Sequence, residues 1–282
     1  MHSRVLIVLG IIFFFQCHKE DFNPDPRAGL NLPDAVQFTH LPTDLSRMAE
    51  FAAIGQMYLL PKAHGGFTLD YQQWNNKADI PVYAMSDGVI YNIRYGTKPY
   101  GDGTEYEDYA LHIYLTPTAE MHFGHVGKLA PEILDQADNL IKGSTENPVS
   151  IQVQAGQIIG YIGIHSGFDI GYSDFSSLPY FAKPSRYDEH YMGSRPFTDI
   201  LLPELRDQIW NINPRTVEPR GGSIHYDKAG TLAGNWFLES PTELHTAFVE
   251  NWSKIIIFGY HEKWADRIMI VDMYPRGQRS GS

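Results

Sequence analysis

Cysteine is almost absent: Cys17 is the only one among 282 residues. That excludes internal disulfides and thiolate metal ligands from the folded body, so any metal site must be assembled from His, Asp and Glu. Long hydrophobic runs are absent as well. The longest, Val5 to Phe15, falls well short of the roughly 20 apolar residues that a membrane-crossing helix needs. Positive charge is scarce, since 22 Lys and Arg stand against 33 Asp and Glu for a formal charge of −11. An acidic body of this kind argues against nucleic acid as a partner and against electrostatic adsorption to anionic lipid. No internal repeat or coiled-coil period is visible. Nor do any two of the 12 histidines lie two residues apart, the spacing that would point both rings to one side of a strand.

What is present begins with an export signal. Arg4 precedes the apolar run, and polar residues follow at once from Gln16 onward, as in a secretory signal peptide. Phe14-Phe15-Gln16-Cys17 resembles a bacterial lipobox, with Gln16 in place of a small residue and Phe14 in place of leucine. Lys19-Glu20-Asp21 resembles the lysine-plus-two-acids signal that carries lipoproteins of Bacteroidetes-like bacteria to the cell surface. The resemblance implies a signal peptide over 1–16, lipid on Cys17 and attachment of the body to the outer membrane of the cell envelope. An uncleaved N-terminal anchor is the competing reading. Residues 17–43 read as the lipidated cysteine and a tether, with Pro, Asp and Asn concentrated between Asp21 and Pro33.

The rest predicts a mainly β protein in two parts. Asp44 to Met57 predicts a short helix, with Asp44 as N-cap and Leu45, Met48, Phe51 and Ala52 at helical spacing. From Tyr58 the text turns to short β-type runs: Tyr58-Leu59-Leu60, Pro81 to Ala84 and Gly88 to Ile93. Asp108 to Leu115 and Glu120 to Val126 flank a four-residue turn and predict a hairpin. An inserted helix is expected over Pro131 to Lys142, opened by Pro and closed by Gly143. The β pattern resumes over Ile151 to Ile164, which ends the first domain near residue 174. Residues 175–220 read as an irregular covering segment with a helical patch at Pro203 to Trp210. Residues 221–282 read as a small all-β unit whose strands start at Ser223, Gly234, Lys254 and Arg267.

Three pieces occur in a suggestive order: His64-Gly65-Gly66-Phe67-Thr68-Leu69-Asp70, then Phe123-Gly124-His125-Val126, then Val153-Gln154-Ala155-Gly156-Gln157-Ile158-Ile159-Gly160. Together, over about Tyr58 to Asp174, they resemble the lysostaphin/LytM-type zinc endopeptidases, an antiparallel β fold with a duplicated hybrid motif. The resemblance implies zinc held by a His, an Asp and the second His of a His-x-His pair, with water in the open position. A metal so held lowers the pKa of its water to about 7 and makes hydroxide available for peptide hydrolysis. Carried over, His64 and Asp70 match the first two ligands and His125 the assisting histidine. This chain departs from the pattern in two ways. Five residues rather than three separate His64 from Asp70, and the pair is missing near Phe168 to Gly171. The third ligand stays open between His165 and Asp169. His122 and His125, three apart, face opposite sides of a regular strand and replace the pair only across a bulge.

Each residue also has a plain structural role available. His64 beside two glycines and Asp70 suit turns, His125 suits a satisfied half-buried imidazole, and His112 falls on the polar face of a strand. The aromatics Tyr172, Phe175, Tyr180, Phe181, Tyr187 and Tyr191 suit a segment packed over the sheet more than a ligand groove. The leading expectation is therefore a lipid-anchored, degenerate LytM-type module that binds peptidoglycan or regulates a cell-wall hydrolase. An active zinc metallopeptidase, and a carbohydrate-binding or structural surface lipoprotein, are the alternatives.

Overall fold

The computed structural model describes residues 27–57, 61–73, 80–99, 103, 105–162, 167–237, 255–261, 263–264 and 266–272. Cys17, Tyr58-Leu59-Leu60 and His165 lie outside the described residues. The chain divides into Met1–Asn31 and Leu32–Ser282, and the second unit carries the fold.

Its frame is a large antiparallel sheet. The strands are β1 (Met48–Ala52), β2 (Gly65–Leu69), β3 (Pro81–Tyr83), β4 (Gly88–Pro99), β5 (Glu105–Thr116), β6 (Ala119–Leu129), β7 (Pro148–Val153), β8 (Ile158–Ile162), β9 (Gly167–Asp174) and β10 (Ser194–Arg195). They run in the order β1-β2-β9-β6-β5-β4-β7, while β10 pairs with β9 and β8 joins β3 to β6. A separate three-stranded sheet contains β11 (Gly234–Phe237), β12 (Ile255–Tyr260) and β13 (Ile268–Asp272). The expected mainly β class, with a large antiparallel sheet and a small second one, is what the chain adopts.

Alternation decides which face is buried. Leu111, Ile113 and Leu115 of β5, Met121 and Phe123 of β6, and Phe168 and Ile170 of β9 all point into one core. Each such side chain contributes about 1.5–3 kcal/mol by leaving water. The residues between them, among them His112, His122, Asp169 and Gly171, line the opposite face. The β5–β6 hairpin closes through Pro117-Thr118, with Thr116 paired to Ala119. The segment from Val153 to Gly160 forms β7, a turn with Gly156 at φ 81°, and β8.

Two of the three helix expectations shrink, while Pro203–Trp210 is helical as expected. Asp44 caps a single 3-10 turn, Leu45–Arg47, and the chain then enters β1. Met48 pairs with Leu69 and Glu50 with Thr68 across a bulge at Ala49, so Met48 and Phe51 both reach the core though three apart. That bulge gave the segment its helical spacing. Between Pro131 and Lys142 only α1 (Pro131–Leu134) is helical, and Asn139 at φ 63° breaks the continuation. Asn147 substitutes for helix there: its side chain accepts from Ile141 N at 2.7 Å and donates to Ile93 O at 2.9 Å, tying the loop to β4. After β9 come α2 (Glu189–Gly193) and α3 (Pro203–Trp210). Phe181, Tyr187 and Tyr191 bury themselves with Ile54 and Ile224 in a second small core, whereas Tyr180 is exposed. Ser223 to Tyr226 is not a strand.

Candidate functional site

The polar face of the large sheet carries a row of ionisable side chains across β5, β6, β9 and the entry to β2. A bulge in β6 assembles it. Leu111 pairs with Phe123 but Tyr109 with Val126, so β6 has one residue more than β5 over this span. Gly124 and His125 therefore both sit between the core-facing Phe123 and Val126. His125 takes φ 62°, an uncommon value outside glycine, and its ring joins that of His122 on the polar face.

Asp169 is the centre of the row. Its Oδ2 lies 3.3 Å from His64 Nε2 and 3.4 Å from His125 Nε2, and the three side chains are about 30% exposed or less. Behind His125, Asp108 Oδ1 stands 2.9 Å from Nδ1. The chain His64, Asp169, His125, Asp108 thus alternates base and acid. Burial alone would raise the Asp169 pKa, but hydrogen bonds and charge from His125 and His64 outweigh it and hold the carboxyl well below the usual range. The Asp108 hydrogen bond, then that of Asp169, raises His125 to about 9. At neutral pH His125 is an imidazolium facing two carboxylates.

Beside this chain stand two imidazoles of opposite character. Burial pushes His122 down to about 3 and His112 to about 4, so both are neutral. Their rings pair across the strands at 5.8 Å, and His122 meets His64 edge to face at 5.8 Å. His122 also covers Gly171: a Cβ there would come within 2.0 Å of its Cε1. On β9, Asp169 and Gly171 are the two neighbours that share the polar face, and the second position is filled by the histidine from β6.

The sequence-derived candidates separate here. His64, His125 and Asp169 come together. Asp70 does not, because the strand carries it on the order of 15–20 Å beyond His64, where its Oδ1 accepts from Gln72 N at 2.9 Å in a turn. Thr68 is the β2 residue that shares the polar face with His64 and Gly66. Asp108 is the participant that sequence reading missed, and His122 is one that it admits only across a bulge. The alternation Asp108-x-Ala110-x-His112 was the available signal for Asp108, and His122 joins through the bulge that its spacing from His125 requires.

The row forms the floor of a cleft with two arms. A smaller arm of about 220 Å³ runs between Glu50, Gln56, Lys62 and β2, and a larger one of about 990 Å³ runs over Arg94, Lys98, Ala110 and the 142–145 loop. His64, His125 and Asp169 line both. The floor is low because Gly66, Gly96, Ala110 and Gly124 carry little or no side chain; at Gly66 a Cβ would meet Asp169 Oδ1 at 3.1 Å.

A zinc ion of hydrolytic type needs three protein donors converging on one point. Among the described residues no three His, Cys, Asp or Glu side chains are grouped to hold a metal ion. The chemistry of the donors agrees. Both ring nitrogens of His125 face carboxylates, Nδ1 at 2.9 Å from Asp108 and Nε2 at 3.4 Å from Asp169, Asp169 is shared between two histidines, and Thr68 and Gly171 supply no histidine or carboxylate. Among the described residues, which do not include His165, the side chains do not fit a three-ligand zinc centre.

No protein-family model matches the sequence, and comparison with curated proteins finds no match. Among solved structures, a zinc-containing peptidase from Vibrio cholerae is similar at 17% identity with a TM-score of 0.30. The overlap takes in 49% of this chain and 36% of that one, too shallow a likeness to carry an argument about fold or chemistry. What the geometry defines is a class: an antiparallel β protein whose polar sheet face carries a histidine–carboxylate cleft.

Proposed function

We propose that this chain is a lipid-anchored cell-envelope protein, related to the LytM-type peptidases, whose cleft holds peptide of the cell wall without cutting it. The observation that carries this reading is the His64–Asp169–His125–Asp108 chain at the junction of the two arms. It supplies fixed N–H donors and carboxylate acceptors to a strand lying across both arms, yet leaves no three donors free for a metal. Peptide backbone, with alternating N–H and C=O, is the ligand that such a floor recognises. Cleavage would need a group free to activate water, and both ring nitrogens of His125 face carboxylates, those of Asp108 and Asp169. A wall-hydrolase partner presenting a similar extended segment would use the same cleft.

In this reading lipid on Cys17 holds the body at the outer membrane, within reach of the wall or the cell exterior. Sedimentation with purified peptidoglycan tests the binding. The protein is expected in the pellet, and Asp169→Asn, which loosens both imidazoles, is expected to leave it in the supernatant. Equal sedimentation of the two proteins would overturn the assignment of the cleft.

A further inference from the structure

The larger arm of the cleft is electropositive in an acidic protein. Three fixed cations line it, Arg94, Lys98 and Lys142, although the whole chain carries −11. The carboxylates facing the same space are engaged. Asp169 lies between His64 and His125, and Asp108 holds His125 Nδ1 with Lys98 Nζ at 3.9 Å. Glu107, beside the arm, accepts from the Tyr95 and Tyr109 hydroxyls at 2.6 and 2.8 Å and feels Lys142. At the far end Glu120 holds His190 at 2.8 Å. Arg94 has no such commitment: among the described residues its guanidinium makes no ion pair.

Register explains why Arg94 and Lys98 stand over the floor. Arg94 pairs with Ala110 and Gly96 with Asp108, so Arg94 and Lys98 project from the polar face on either side of a glycine. Lys142 arrives from the loop that Asn147 fastens to β4, with its Nζ 5.8 Å from the centre of the Tyr95 ring. The planar Arg94 guanidinium, with Lys98 on the same face and a floor of Gly96 and Ala110, matches a carboxylate in charge and shape.

We infer that the larger arm is a carboxylate subsite, in which Arg94, assisted by Lys98 and Lys142, binds a free carboxyl group of the peptide ligand. This rests on the peptide-binding reading above and adds the chemistry that sets its direction along the cleft. The neutral His112 and His122 form the floor between this subsite and Asp169.

A matched pair of fluorescent tripeptides tests it, one ending in a free carboxylate and the other in a carboxamide, with affinities read by anisotropy. The carboxylate form is expected to bind about tenfold tighter, with an advantage that shrinks as salt is raised. Arg94→Gln should bring the acid down to the level of the amide, and Lys142→Gln should reduce the gap in part. Both positions are exposed, so neither variant should disturb folding, which circular dichroism checks. Equal binding of acid and amide by the unaltered protein would overturn the carboxylate subsite and leave peptide binding standing. Binding of neither peptide, with inorganic phosphate held in an Arg94-dependent way, would overturn the peptide reading and keep an anion site. Binding of none of the three would overturn both.

Discussion

Asp169 governs the site because two imidazoles depend on it, and the consequence is measurable as a dependence of stability on pH. His125 is raised from 6.5 to about 9 in the folded protein. Its contribution is therefore complete below pH 6.5 and is lost as pH rises through 9. Asp169 is shifted the other way, below 3.8, so its contribution is complete above that value and is lost as pH falls below it. The network should support the fold fully between about pH 4 and 6.5 and lose about 3 kcal/mol at most by pH 10. Urea denaturation at pH 6 and 10 is expected to show that decline in the natural protein and a much flatter one in His125→Gln. A second residue-scale consequence lies at Gly171. Because a Cβ there would sit 2.0 Å from His122 Cε1, Gly171→Ala must displace the ring or the strand. A loss of about 1–3 kcal/mol, with a shifted His122 resonance, is the expected result.

At the scale of elements, two bulges decide how much of this protein is legible in its sequence. Strand alternation, hairpin turns and the glycine-punctuated run from Val153 to Gly160 are local, and the β5–β6 hairpin and the β11 to β13 sheet follow from them. An extra residue in a strand is set by its partner. The bulge at Ala49 places Met48 and Phe51 on one side and makes a strand read as a helix; the bulge in β6 places His122 and His125 on one side and completes a site that regular alternation would divide. Asp70, by contrast, could be matched to a motif, but five residues of extended chain remove it from His64. The loop after α1 shows a third limit, since Ile133 and Ala137 are buried as a helix would bury them, yet Asn147 and not a helical ladder satisfies its backbone. Asn147→Ala should cost about 2–3 kcal/mol and speed hydrogen exchange at Ile141, because its amide would lose its acceptor. Unchanged exchange there would mean that the loop is held by something else.

At the scale of the whole molecule, the second sheet meets the first through Lys263, whose Nζ lies 2.7 Å from Glu50 Oε1 on β1. The proposed lipid anchor makes its own prediction: Cys17→Ser should release the protein from membranes and abolish labelling with a fatty acid, whereas continued membrane association would favour an uncleaved N-terminal anchor. The cleft carries the central proposal, that this face binds peptide and does not hydrolyse it. The most direct measurement is the release of new amino groups from purified peptidoglycan incubated with zinc-supplemented protein. The account predicts protein bound to the wall with no amino groups above the buffer control. A steady release that disappears in His64→Ala and Asp169→Ala would contradict it and make the protein a metallopeptidase.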